Sequence, residues 1–157
     1  MTPRVYVETS VISYLTSRPS RDLIVAANQQ ITRDWWENRR VEFELFISQL
    51  VVQEASAGDE NAAEHRLRAI DEMPLLELDQ NALTLAEALV RDGPISHEAV
   101  EDALHIAVAT VNGLEYLLTW NFKHIANATM RYKIERVCRS QGYEPPIICT
   151  PQELLEE

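Results

Sequence analysis

Short, nearly continuous apolar runs alternate along this chain with longer stretches in which apolar residues return every three or four positions. The first run, 4–7, reads as a strand; it leads into Glu8, the hydroxyl residues Thr9 and Ser10, and a second apolar run. After Pro19, the spacing of Leu23, Ile24, Ala27, Ile31 and Trp35 predicts a helix over 21–40 with Ser20 as N-cap. Phe43, Leu45 and Ile47 alternate as in a strand over 42–48. A helix should run from Gln49 to about Ala57 and stop near Gly58, and another from Asp59 through Ile70. Segment 74–78 predicts a short strand, and 80–93 a helix between Asp79 as cap and Gly93 as terminator. Over 96–113 Ser96 caps a helix whose Leu104, Ala107, Val108 and Val111 share a face and which ends at Asn112-Gly113. A buried strand at 115–120, a helix at 125–142 and a last strand at 146–150 complete the chain. Strands separated by helices imply an α/β fold, a three-layer α/β/α sandwich with a mainly parallel central sheet.

The 157 residues suit one domain, 1–157, with a substantial core. No apolar run approaches the ~20 residues that span a bilayer, and the opening MTPRVYV lacks the apolar core of a signal peptide. No membrane association and a cytoplasmic protein are therefore expected. Cys138 and Cys149 stand in apolar surroundings without metal-ligand spacing, which predicts free, buried thiols. A net charge of −11 argues against a protein that coats nucleic acid with a uniformly basic surface. The distribution says more: residues 42–102 hold fifteen acids and three bases, whereas the run 123–139 carries Lys123, Arg131, Lys133, Arg136 and Arg139 against the single acid Glu135. Taken alone, that basic run reads as a solvated helix face.

In a parallel sheet, ligands gather at the carboxyl ends of the strands. Glu8 directly follows the first strand and Asn121 follows 115–120. The first turns of the helices lie at the same edge, which brings in Glu54, in the second turn after 42–48, and Asp102, in the second turn after Ser96. Singly, each has a plain structural reading: Glu8 as a strand-end acid capping the next helix, Glu54 and Asp102 as helix acids favoured by the macrodipole. Jointly, three carboxylates and an amide oxygen make a hard-oxygen site suited to Mg2+ or Mn2+. Such an ion activates water and neutralises phosphodiester charge, so the implied reaction is phosphodiester hydrolysis. His105 reads first as structural. His124, at the start of the basic run, reads equally as a phosphate contact or a structural residue. Of Trp35 and Trp36, one should be core and the other should pack on a neighbour, with base stacking the weaker alternative.

VYVETSVISYL at 5–15, Glu54 after a strand and helix start, EDALHIAVA at 101–109 and LLTWNFKHI at 117–125 resemble, in order and spacing, the successive motifs of the PIN-domain family of metal-dependent ribonucleases. That family includes toxins of bacterial toxin–antitoxin pairs. The resemblance implies metal ligands at Glu8, Glu54 and Asp102, Asn121 at the fourth position, and Thr9 or Ser10 assisting. It further implies a Mg2+- or Mn2+-dependent endoribonuclease that binds RNA between the acidic site and the basic run, through Lys123, His124 and Arg131, with an antitoxin as partner and a homodimer as a candidate assembly. The chain departs from the commonest family pattern twice, carrying Glu8 and Asn121 where aspartates are usual. Two alternatives follow: a PIN-like RNA-binding or protein-interaction module with a weakened metal site, and a hydrolase of small phosphoesters.

Overall fold

The computed structural model describes residues 2–155. Five strands, β1 (Arg4–Val7), β2 (Glu44–Ser48), β3 (Leu75–Leu76), β4 (Tyr116–Leu118) and β5 (Ile147–Cys149), form one sheet in the order β3-β2-β1-β4-β5 with every pair parallel. β1 is central, which explains its unbroken apolar sequence: Val5, Tyr6 and Val7 are fully buried because helices cover both faces of the strand. The strands are shorter than their apolar runs suggest. Phe43 precedes β2, and Thr119 and Trp120 lie beyond β4, although the Thr119 N–H still donates to the Cys149 carbonyl at 2.9 Å.

Among the described residues there are seven α-helices: α1 (Thr9–Thr16), α2 (Leu23–Asn38), α3 (Gln49–Ala55), α4 (Glu60–Ile70), α5 (Gln80–Arg91), α6 (Val100–Val111) and α7 (Ala128–Ser140). α1 packs on α2, α3 and α4, while α5 packs on α6 and α7. Right-handed crossovers require this division, since β1→β2→β3 steps one way across the sheet and β3→β4→β5 the other. The expected three-layer α/β/α architecture is therefore present.

Several boundaries differ from the sequence reading. The apolar run after Glu8 is a helix, α1. Ser20 does not cap α2: Asp22 does, accepting from the N–H groups of Ile24 and Val25, while the Ser20 hydroxyl accepts from the Asp22 N–H. Ser96 makes no side-chain cap. It opens a 3-10 turn (His97–Ala99), and α6 proper starts at Val100, which moves Asp102 into its first turn. α7 begins at Ala128 with Asn127 as N-cap, three residues later than expected. α5 ends at Arg91, and Gly93 is needed for closeness rather than termination, since a Cβ there would lie 2.6 Å from the Leu89 carbonyl oxygen. Gly113, with φ +71, does end α6 in the left-handed region as anticipated.

Trp35 is fully buried, as one of the pair was expected to be, while Trp36 is partly buried against the core and carries the Arg40 guanidinium, from the turn just after its own helix, over its ring at 4.5 Å. Both cysteines are free and buried, and burial pushes their thiols up, Cys138 to about 11 and Cys149 to about 12. Among the described residues no helix is long and apolar enough to cross a membrane.

Candidate metal centre and active site

The strand order reverses direction between β1 and β4, whose outgoing connections diverge to opposite sides of the sheet. A crevice opens at such a switch point because neither connection crosses it. Glu8 stands at its mouth: its N–H extends the ladder to the Leu118 carbonyl at 3.0 Å, and its side chain is 6% exposed. Although Glu8 occupies the N-cap position of α1, its carboxylate makes no cap bond. One oxygen instead accepts from the hydroxyls of Ser10 (2.5 Å) and Thr119 (2.6 Å), one from each side of the crevice. A buried carboxylate is costly unless so satisfied or paired with a cation.

Glu54 reaches the same place from α3. Its Oε1 accepts from Thr9 Oγ1 at 2.5 Å and lies 2.8 Å from His105 Nε2. Burial alone would raise the Glu54 carboxyl, but the bond to His105, the His105 charge and the bond to Thr9 outweigh burial and hold it below the ordinary range. The opposing member, His105, is fully buried. Burial favours its neutral form, yet the Glu54 bond and the charges of Glu8, Glu54 and Asp102 together raise it above the usual histidine value. His105 Nδ1 lies 2.6 Å from the Tyr6 hydroxyl, which lies 2.7 Å from Ser48 Oγ. In the neutral ring, Nε2–H donates to the carboxylate and Nδ1 accepts from Tyr6, so a chain running Ser48–Tyr6–His105 fixes Glu54 from behind.

Asp102, half-buried on α6, accepts from Asn121 Nδ2 at 3.1 Å. Burial raises its pKa and the Glu8 charge adds to the rise, against the pull of His124 and His105 and the Asn121 bond. Asn121 Oδ1 in turn accepts the His124 N–H at 3.0 Å. The amide is therefore engaged at both ends, steadying Asp102 and the loop after β4, with one oxygen lone pair left over.

Four of the anticipated positions, Glu8, Glu54, Asp102 and Asn121, thus stand at one edge, with Thr9 and Ser10 bonded directly to two of the carboxylates. Glu8, Glu54 and His105 each offer a ligand atom within 4.8 Å of the others. Among the described residues, no lysine or arginine makes an ion pair with Glu8, Glu54 or Asp102. A cluster of hard oxygens with one histidine alongside and no lysine or arginine paired to it fits a divalent metal.

The basic run is placed less uniformly. Lys123 is exposed and His124 half-buried in the loop after Asn121. Arg131, in the first turn of α7, donates to the Ile148 carbonyl at 3.2 Å. From there α7 leads away from the edge by ~1.5 Å per residue, and Arg139, towards its far end, pairs with Glu144 and Glu135. His105 is the buried structural histidine expected, yet it also touches Glu54, and Tyr6, Thr119 and Glu101 lie around the site without a signal of their own in the sequence. Glu101 is an exposed acid whose pKa is raised by the proximity of Glu54. The one available signal was spacing, since His105 follows Asp102 by three residues, one turn along the same helix.

The family model of the PIN domain matches residues 5–126. Comparison with curated proteins gives no match. Among solved structures, VapBC2 from Rickettsia felis, crystallised bound to a DNA fragment from its promoter, includes a chain similar to this one with a TM-score of 0.54 and 13% identity, over 94% of this chain and 98% of that chain. At that identity the likeness is one of fold.

Proposed function

This chain belongs to the PIN-domain family, and from that premise we propose that it is a Mg2+- or Mn2+-dependent endoribonuclease, acting as one domain over 1–157 in the cytoplasm. The observation that carries this reading is the convergence of Glu8, Glu54 and His105 at the β1/β4 switch point, each with a ligand atom within 4.8 Å of the others, with Asp102 outside that group but near enough to Glu8 for their charges to interact and, among the described residues, no lysine or arginine paired to any of the carboxylates. Glu8, Glu54 and Asp102 would hold the metal, which when bound supplies an activated water and offsets the charge of the phosphodiester.

The protein's own part is to hold these oxygens still. Ser10 and Thr119 aim Glu8, Thr9 and His105 aim Glu54, and Asn121 aims Asp102. Lys123 and His124, in the loop beside Asp102, are the side chains best sited for substrate phosphates, with Arg131 at the start of α7 behind them. Unpaired thiols agree with a reducing compartment. An antitoxin that covers the site extends the same reading, supported by the fold shared with the VapBC2 chain, and pairing of two copies is proposed with it.

One observation favours the alternative of a weakened module: the fourth position is the neutral Asn121, whose oxygen already caps the His124 N–H. Cleavage of single-stranded RNA with Mg2+, with Mn2+ and with chelator separates the two. Asp102→Asn should abolish cleavage while melting no lower than wild type in chelator, because it removes an ionised form that burial and Glu8 disfavour. Mn2+ should raise the melting temperature of wild type and not of the variant. RNA cleavage by Asp102→Asn would remove that residue from the site, and a wild type inert with both metals would leave the module.

A further inference from the structure

The loop that carries Asn121 also carries a ring that the core does not use. Trp120, 5% exposed, stacks on Tyr14 at 5.7 Å with 13° between planes and donates from Nε1 to Thr32 Oγ1 at 2.7 Å. Phe122 meets Trp120 edge-on at 5.8 Å, yet leaves 52% of its own surface exposed. A single exposed apolar side chain is ordinary. This one is distinguished by its surroundings.

It sits between Asn121, bonded to Asp102, and Lys123 and His124, the latter close enough to Asp102 for their charges to interact. The backbone beneath it is pinned. The Phe122 N–H donates to the Trp120 carbonyl at 2.9 Å, the N–H groups of Ile125 and Ala126 both reach the Asn121 carbonyl, and the His124 N–H reaches Asn121 Oδ1. An aromatic face that is rigidly mounted, half in water and flanked by a lysine and a histidine in the loop that reaches Asp102 has the composition of a single-strand platform, in which bases stack on rings while nearby polar and basic groups meet the phosphates.

We infer that Phe122 is a substrate-positioning residue, stacking one nucleobase of single-stranded RNA next to the phosphodiester held at Glu8, Glu54 and Asp102. The inference rests on the ribonuclease reading and adds how one base is held: at this position it is recognised through its face rather than its hydrogen-bonding edge. Preference among bases should therefore be weak here, with purines ahead because they offer more surface. A duplex buries base faces and should be a poor substrate.

The test uses the full chain in Mn2+ and a single-stranded oligoribonucleotide of about eight residues, together with a series in which one abasic ribose is moved along it. Phe122→Ala should raise KM about ten-fold or more, with the smaller effect on kcat, and Phe122→Trp should restore it. With wild type, one abasic position beside the cleaved bond should weaken binding by a similar factor, whereas Phe122→Ala should be indifferent to that position. Phe122→Leu keeps apolar packing against Trp120 without a stacking face. If it behaves as wild type, the ring is structural and the inference falls. An active wild type whose KM is unchanged in Phe122→Ala also overturns it, leaving the ribonuclease reading intact. A wild type that cleaves no RNA with either metal overturns both.

Discussion

Tyr6 joins the core to the chemistry. The ring is fully buried in the central strand, and its hydroxyl lies between Ser48 and His105, whose far nitrogen meets Glu54. Burial raises its pKa well above the ordinary tyrosine range, so it stays protonated and able to donate. Removing the hydroxyl with Tyr6→Phe strands two buried partners, a loss of about 1–3 kcal/mol. Urea denaturation should record that loss, and metal-dependent RNA cleavage should fall because the His105 ring, and through it Glu54, is no longer held. A variant as stable and active as wild type would show the chain to be idle. None of this was legible in the sequence. Tyr6 reads there as one more residue of an apolar strand, and its partners stand 42 and 99 positions away. Glu8 was legible because a carboxylate between two apolar runs conflicts with its surroundings, whereas a tyrosine there conflicts with nothing.

α3 is seven residues long, too short to persist unaided, yet it carries Glu54. Its carboxyl end is held by Arg66 of α4, whose Nε donates to the Ala55 carbonyl at 2.9 Å and whose Nη2 donates to the Ala57 carbonyl at 2.6 Å. The guanidinium thereby satisfies carbonyls that a helix end leaves without partners and favours the negative end of the dipole. Arg66→Ala should cost about 1–2 kcal/mol in thermal or urea unfolding, and should weaken Mn2+ binding measured by calorimetry, since Glu54 loses its fixed mount. Arg66→Lys should recover only part, because an ammonium cannot span both carbonyls. Unchanged Mn2+ affinity in Arg66→Ala would mean that α3 holds its position through Leu50, Val51 and Ala55 alone. At this scale the sequence was a good guide to which elements exist and a poorer one to where they begin. Periodicity marks α2 and α6, and caps, stops and flanking strands mark the other helices, whereas α1 follows Glu8 with no turn residue between it and β1 and reads as a second apolar run. The caps misled where a serine stood two positions before a better-placed aspartate, as at Ser20 and Asp22.

Across the whole molecule, the ribonuclease we propose must draw RNA to a chain of net charge −11 whose acids concentrate in 42–102. Attraction is then local, and its salt dependence reports how many phosphates meet cations. Were RNA laid along the entire run 123–139, each neutralised phosphate would add about 0.7 to the slope of log affinity against log salt, and the total would reach three or more. The fold argues for fewer contacts. Arg131 is committed to the Ile148 carbonyl, Arg139 is tied to Glu144 and Glu135, and α7 carries Lys133 and Arg136 away from the carboxylates. We expect a slope of about 1–2, measured by fluorescence anisotropy of a labelled single strand over a KCl series, with Asp102→Asn as the protein so that cleavage does not intrude. Adding Lys123→Ala should lower the slope by about 0.7, while adding Arg136→Ala should leave it unchanged. A slope of three or more that Arg136→Ala reduces would lay the RNA down the length of α7 and move the substrate path off the loop that carries Phe122.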